Sequence, residues 1–301
     1  MRILITGATG FIAQNIIKTL SPEVELILLT RRPKVAQKIY DSLSNIEIIS
    51  EINEDTPHPD VVINLAGSPL FKRSFSFQSK HELIASRVNY TKNLCKELKE
   101  YKKFPQVFIS ASASSIYGSK KHLISESAEG LGGSFCGNLA MDWENSVYEG
   151  CKSTPCRVVL LRFGVVVGKE GGIYKNIKTP FKLGLGAIIG NGKQYLPWIS
   201  VHDAVRSIVH IIRCSKIKGA VNIATTNANT QKDFATALAS SFNKKVLFKI
   251  PKSLISITKG DLASPFIDST PMTPTKLIQT GFKFDDTDLK ELLNNMANNR
   301  S

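Results

Sequence analysis

The sequence predicts an α/β fold built on a doubly wound parallel sheet, and three observations carry the prediction. Short apolar runs alternate with amphipathic stretches from the first residues onward, the pattern of parallel strands joined by crossover helices. Those runs are rich in Val, Ile and Leu and suit burial on both faces of a sheet. The first of them breaks at a glycine turn that opens directly into a helical stretch.

Taken in order, strands are expected at Arg2–Thr6, Val24–Thr30, Val61–Leu65, Gln106–Ser110, Arg157–Phe163 and Ala220–Ala224. Helical spacing of apolar residues places helices at Phe11–Leu20, Phe77–Tyr101, Ala140–Tyr148 and Val201–Ile212. Eight glycines fall between Gly164 and Leu196. Such density suggests loops that approach a ligand or one another closely, with plain surface turns as the alternative. From Ile250 onward, Pro251, Pro265, Pro271 and Pro274 punctuate short helical pieces, and Asp288–Met296 reads as an amphipathic helix. The expected organisation is one domain over 1–249, with a glycine-rich substrate-side insert at about 164–200, and a small lobe over 250–301.

With 42% hydrophobic and 21% charged residues, 20 Gly and 13 Pro in 301 positions, the composition excludes collagen-like and disordered classes. Thirty-nine Lys and Arg against 25 Asp and Glu leave a formal charge of +14. Positive charge favours anionic partners of several kinds, from nucleic acid and acidic membranes to phosphorylated cofactors. Lys102-Lys103, Lys120-Lys121 and Lys244-Lys245 stand far apart with no aromatic module beside them, so a nucleic-acid partner is not expected. No apolar run approaches the roughly 18 to 20 residues of a membrane span. Met1 to Gly7 reads as strand and turn rather than a cleaved leader, so the expectation is a cytoplasmic protein without a membrane partner. Cys95, Cys136, Cys151, Cys156 and Cys214 form no Cys-x-x-Cys pair; buried thiols are expected, with neither a metal site nor a disulfide frame.

Gly7-Ala8-Thr9-Gly10-Phe11-Ile12-Ala13 joins the first strand to its helix. There Gly7 permits the tight turn, Gly10 lets the backbone approach a pyrophosphate, and the helix opening near Phe11 offers free N–H groups and the positive end of its dipole. Ala13 takes the third glycine's place and is still small enough for close helix–strand packing. After the second strand, where an acid would hold the ribose hydroxyls of NAD, the chain reads Thr30-Arg31-Arg32-Pro33. A guanidinium there pairs with a 2′-phosphate, so NADP is the expected cofactor, with Arg31 the first contact and Arg32 the second.

These residues, together with Asn64-Leu65-Ala66-Gly67, Ser110-Ala111-Ser112-Ala113 and Tyr117-Gly118, resemble the extended or atypical short-chain dehydrogenase/reductase superfamily of NAD(P)-dependent epimerase/dehydratase-like proteins. Ser86-Arg87 with Thr91, Asp142-Trp143-Glu144, Leu161 to Gly168, Pro180 to Gly186, and Trp198-Ile199 with Asp203 narrow the resemblance to its subfamily of predicted sugar-nucleotide epimerases, also labelled cell-division inhibitor-like. It spans essentially the whole chain. The resemblance implies a Rossmann-like domain with NADP along the carboxyl ends of the strands, and a smaller substrate-side lobe. It further implies pyrophosphate contacts from Gly7, Thr9, Gly10, Phe11 and Ile12, an adenosine-phosphate contact from Arg31, passage of the cofactor over Leu65 and Ala66, and cofactor contacts at Glu82, Arg87 and Val165. Helices such as Phe77–Tyr101 pair subunits in many relatives, which makes a homodimer an expectation of the same kind.

In the superfamily a Tyr-x-x-x-Lys pair moves the proton that accompanies hydride transfer. Here the corresponding places hold Ala140 and Glu144, which cannot act as a phenol and an ammonium do. Ser112 or Ser114, with Ser112 the first choice, is the candidate for orienting a substrate oxygen, with satisfaction of nearby backbone groups as the alternative. Tyr117 is a substitute proton donor, with a structural role as the alternative; Glu144 is a base if buried, with ribose binding or a surface position as the alternative. Asp203 is expected to cap a helix that begins near Ala204. Two functions stand: an NADP-binding epimerase or oxidoreductase acting on a small polar substrate such as a nucleotide-linked sugar, or a non-catalytic NADP-binding sensor or interaction protein.

Overall fold

The structure, a computed structural model, describes residues 1–21, 23–70, 76–130 and 132–298. The first half runs β1 (Arg2–Thr6), α1 (Phe11–Leu20), β2 (Glu25–Leu29), α2 (Pro33–Ile39), β3 (Ile46–Ile49), β4 (Val61–Asn64), α3 (Phe77–Ile84), a π-turn (Ala85–Asn89), α4 (Tyr90–Glu100), β5 (Val107–Ala113) and α5 (Phe135–Cys151). Then follow β6 (Arg157–Phe163), β7 (Val165–Gly168), α6 (Gly172–Lys182), β8 (Ala187–Ile189), β9 (Trp198–Ser200), α7 (Val201–Arg213) and β10 (Gly219–Ile223). The last stretch holds α8 (Gln231–Ser241), β11 (Phe248–Ile250), α9 (Lys252–Lys259), α10 (Ser264–Ile267), α11 (Thr275–Gln279) and α12 (Leu289–Ala297).

Seven strands form one sheet in the order β10-β6-β5-β4-β1-β2-β3, and the register is parallel from β3 through β5. Ile3, Leu4, Ile5, Val62, Ile63, Phe108 and Ile109 are wholly buried, as the unbroken apolar runs require of a sheet covered on both faces. This is the Rossmann-like, doubly wound arrangement. Strand order reverses between β1 and β4, which opens a crevice outside their carboxyl ends. The seventh strand, β3, escapes the sequence pattern because it is a four-residue edge strand whose Glu47 is exposed.

Two compact units divide the chain. The first comprises Met1–Ser112, Met141–Leu161 and Ile208–Val221, with a core that includes Leu4, Ile27, Val62, Leu94, Phe108 and Leu160. The second comprises Ala113–Ala140, Arg162–Ser207 and Asn222–Ser301. It contains the parallel pairs β7/β9 and β8/β11, and its core includes Tyr174, Phe181, Trp198, Phe234, Leu238 and Leu293. This partition differs from a lobe that begins at residue 250: Leu289, Leu293 and Met296 of α12 pack with Phe234 and Leu238 of α8 in one core. No local pattern announces a core whose halves lie so far apart in sequence.

The glycine-rich stretch is not loop alone, since β7, α6 and β8 lie in it. Its glycines serve close approach of the chain to itself: a Cβ on Gly186 would meet the Phe181 ring at 2.4 Å, and one on Gly164 the Pro197 carbonyl at 2.7 Å. Helix α7 starts at Val201, and its cap is Ser200, whose Oγ accepts from the Asp203 amide at 3.0 Å. Asp203 is thus corrected from cap to clamp. Its carboxylate, wholly buried, accepts from the amides of Asp285 and Asp286 and from Arg206. His202, Asp203 and Asp285 form a cluster of metal-ligand type, but Arg206 already bridges its two carboxylates. Of the thiols, Cys95, Cys136 and Cys151 are buried, whereas Cys156 and Cys214 are only half-buried. Among the described residues no helix is long and apolar enough to cross a membrane.

Candidate functional site

A cleft of about 670 Å³ opens in the first unit at the carboxyl ends of β1, β2 and β4, within the usual range for small-molecule sites. Gly7, Thr9 and Gly10 line it, as do Arg31, Arg32, Leu65, Ala66 and Glu82. Gly7 has φ +67°, and a Cβ there would lie 2.8 Å from the Leu65 carbonyl oxygen, so the turn after β1 and the strand end of β4 touch through a missing side chain. Thr6 laces the same two loops: its hydroxyl accepts from the amides of Leu65 and Ala66, each at 3.1 Å, and donates to Asn64 Oδ1 at 2.8 Å.

Helix α1 begins after Gly10 with no side-chain cap and no acid in its first turn. Phe11 and Ile12 open this turn; their side chains are half-buried, and neither lines the cleft. The amide donors of this helix end suit a phosphate. At the rim after β2, Arg32 Nη2 donates to Thr9 Oγ1 at 3.0 Å, which draws that guanidinium over the glycine turn. Arg31 is exposed beside it. A glycine turn, an uncapped helix end and two guanidinium groups together fit an anionic dinucleotide.

The opposite wall is one face of the helix formed by α3, the π-turn and α4, from which Glu82, Ser86, Tyr90, Leu94 and Glu97 reach the cleft. Burial pushes the Tyr90 phenol up to about 12. Burial raises the Glu97 carboxyl as well, helped by Glu100 and Glu51. Arg87, within the π-turn, donates from Nη2 to the Ser68 carbonyl at 2.9 Å and from Nη1 to Ser86 Oγ at 3.3 Å. Its guanidinium stands 5.4 Å from the centre of the Trp143 ring. Arg87 therefore holds the Gly67–Ser68 loop rather than lining the cleft itself. π-turns gather at functional sites because they redirect a helix face.

Beneath the cleft runs a buried polar network. Asn64 Nδ2 donates to Thr91 Oγ1 at 2.9 Å and to Ser110 Oγ at 3.2 Å, and Trp143 Nε1 donates to Thr91 Oγ1 at 3.0 Å. Beside Trp143, Ser112 Oγ donates to Glu144 Oε1 at 2.7 Å, with both side chains buried. In the second unit Tyr117 is wholly buried. Its hydroxyl donates to Asn222 Oδ1 at 2.7 Å and accepts from Arg162 Nη1 at 2.9 Å. Val165 also belongs to the second unit, where it pairs with Trp198 across β7 and β9.

The model of the NAD dependent epimerase/dehydratase family matches residues 3–224. The chain belongs to that family. This family member is 28% identical to the epimerase family protein YfhF of Bacillus subtilis over 100% of its own chain and 99% of the other. It is 29% identical to the epimerase family protein SDR39U1 of Mus musculus, over 99% and 100% of the two chains. Among solved structures, human SDR39U1 with NADPH superposes with a TM-score of 0.86 at 23% identity, covering 99% of this chain and 100% of that one. UDP-glucuronic acid 4-epimerase from Bacillus cereus, in complex with UDP-glucuronic acid and NAD, gives 0.81 at 20% identity over 99% and 98%. At those identities the likeness is one of fold.

Sequence reasoning missed several cleft residues of this epimerase-family protein: Ser50, Glu51, Ser68, Tyr90, Leu94 and Glu97. A signal was present for part of them. Counting from Glu82 in helical steps reaches Ser86, Tyr90, Leu94 and Glu97, one stripe on one face. Ser50 and Glu51 follow the unexpected β3 and had no such marker.

Proposed function

We propose that this epimerase-family protein binds NADP(H) in the first-unit cleft and acts with it on a small polar molecule, a nucleotide-linked sugar being the substrate class. The observation that carries the cofactor choice is the pair Arg31 and Arg32 at the cleft rim directly after β2, a segment that carries no acid, while the acids of the cleft, Glu51, Glu82 and Glu97, come from other segments. Two guanidinium groups favour a 2′-phosphate, and neither can accept from the ribose hydroxyls of NAD. The human relative solved with NADPH supports the same choice.

When bound, NADP supplies a hydride acceptor or donor. The chain's own residues do the rest. The turn at Gly7 to Gly10 and the end of α1 bind the pyrophosphate, Leu65 and Ala66 form the floor, and Glu82 with Arg87 anchors the opposite wall. Ser112 and Glu144 are buried and do not line the cleft as it stands; in this reading Ser112 takes the proton that a substrate oxygen releases and passes its own to Glu144. Tyr117 has both hydroxyl contacts spent within its own unit, so this reading keeps it as a brace.

Titration of the purified protein with NADPH and with NADH, followed by nicotinamide fluorescence, tests the cofactor. NADPH is expected to bind at least about tenfold more tightly, and equal affinities would overturn the choice. Incubation of the NADP-loaded protein with nucleotide-linked sugars deuterated at the reacting carbon tests the chemistry: deuterium at C4 of the nicotinamide, or an epimerised product that keeps its deuterium, supports turnover. The buried Ala140 favours a second reading, an NADP-binding sensor. That reading expects binding with no transfer.

A further inference from the structure

The positive charge of this chain is concentrated. Between residues 171 and 260 stand 14 of its 39 lysines and arginines but only two of its 25 acids, Asp203 and Asp233. Three of those basic residues, Arg213, Lys216 and Lys218, belong to the first unit; the rest are on the second.

Within the second unit, two acid-free segments are tied together. β8 pairs in parallel with β11, Ala187 opposite Phe248 and Ile189 opposite Ile250. The turn at Gly184 abuts the Lys244 side chain, and Gly190 abuts that of Lys252. This joined surface carries large aliphatic and aromatic side chains outward: Leu183 is 67% exposed, Leu247 76% and Ile257 78%, with Leu185, Phe248 and Leu254 also exposed. Helix α9 buries none of its residues, and Leu254 and Ile257 lie three apart on one face. Around them stand exposed Lys182, Lys193, Lys244, Lys245, Lys249 and Lys252.

We propose that this face docks on the surface of an anionic lipid bilayer, with Leu254, Ile257, Leu247 and Leu183 entering the headgroup boundary and the lysines pairing with lipid phosphates. Aliphatic tips ringed by lysine supply both terms that interfacial binding needs, buried apolar area and attraction to negative headgroups. A second copy of the chain fits poorly, because apposing this face on itself brings its lysines together, with Asp268 beside Lys252 too little to offset them. Nucleic acid fits poorly too: the ring is lysine without arginine, and aliphatic tips offer no stacking platform. The lack of a membrane-spanning run bears on crossing a bilayer, not on lying against one.

Co-sedimentation with vesicles decides the matter. The full chain is expected to pellet with vesicles of phosphatidylcholine containing roughly a third phosphatidylglycerol, to stay in solution with phosphatidylcholine alone, and to be released as salt rises. The pair Leu254→Asp with Ile257→Asp, and separately Lys244→Glu with Lys245→Glu and Lys249→Glu, are each expected to lower the partition constant by about tenfold or more. Unchanged thermal unfolding by circular dichroism shows that both variants are folded. Absence of binding, or equal binding to neutral vesicles, overturns the proposal. So does a dimer in light scattering that Leu254→Asp and Ile257→Asp abolish, or duplex DNA binding that outcompetes the vesicles and survives those changes.

Discussion

Ser112 donates its hydroxyl proton to Glu144 at 2.7 Å, with the two residues 4% and 5% exposed. A buried carboxylate is stable only while hydrogen bonds replace its lost water, so serine on β5 and glutamate on α5 depend on each other. Ser112→Ala leaves the carboxylate one donor short and is expected to lower stability by about 1–3 kcal/mol in a urea titration. Glu144→Gln keeps an oxygen to accept from Ser112 and should cost less than about 1 kcal/mol. If Glu144 is the proton acceptor, Glu144→Gln also abolishes deuterium transfer while the protein stays folded; retained transfer would remove it from the chemistry.

The rim guanidinium groups should act on one cofactor and not the other. Arg31→Ala and Arg32→Ala are each expected to weaken NADPH binding by about 10- to 100-fold, the value of a charge-assisted contact. NADH affinity should hardly change. Raised salt is expected to reproduce part of the loss in the unmodified protein, because the rim is exposed. Fluorescence titrations of both cofactors at two ionic strengths check this, and a parallel loss of NADH binding would point to damage of the turn through the Arg32–Thr9 contact.

Thr91 joins three elements with one hydroxyl. It accepts from Asn64 and from Trp143, so Thr91→Val removes an acceptor from two buried donors at once. Asn64 retains Ser110, whereas this substitution strips Trp143 Nε1 of its Thr91 partner. A loss of about 2–4 kcal/mol is expected, with a shift in tryptophan near-ultraviolet circular dichroism. A cost below about 0.5 kcal/mol would show the network to be dispensable.

The sheet and the glycine turn were legible because their signals are local: unbroken apolar runs for β1 and β6, and a turn set between strand and helix. The place of Arg31 and Arg32 at the cleft rim was legible for the same reason, being fixed by their distance from β2. What stayed hidden depends on contacts distant in sequence. The β3 edge strand has half its pattern, the α12 and α8 core joins segments with no common motif, and the Ser112–Glu144 bond needs β5 and α5 to be placed before it can be seen. Asp203 misled because an acid at the start of a helix resembles a cap, and only the fold reveals the Asp285 and Asp286 amides that it serves.

Gly7 leaves no room for a side chain. Alanine there must hold φ near +67° and place Cβ 2.8 Å from the Leu65 carbonyl, so backbone strain and a clash add. Gly7→Ala is expected to cost at least about 2 kcal/mol and to lose NADPH binding. Gly281→Ala, also at positive φ but with open space around its Cβ, is the control: it should cost about 1–2 kcal/mol and leave cofactor affinity intact.

Glu97 gives the cleft a pH signature. Its carboxyl is raised above the ordinary 4.5 by burial first, then by the charges of Glu100 and Glu51. The native state therefore holds the proton to higher pH than the unfolded chain does, and stability falls as pH rises from about 4.5 through the raised native value. Above that value the penalty is constant. Glu97→Gln has no such charge, so relative to it the unmodified protein should lose stability across that window and remain less stable at neutral pH. Thermal melts of both proteins from mildly acid to neutral pH measure the difference, expected to be roughly a degree or two because the group is partly solvated. A difference of opposite sign would mean that Glu97 is held ionised by a cation in the fold. Glu97 also lines the cofactor cleft, so Glu97→Gln should strengthen NADPH binding at neutral pH by removing a negative charge from the site of an anion.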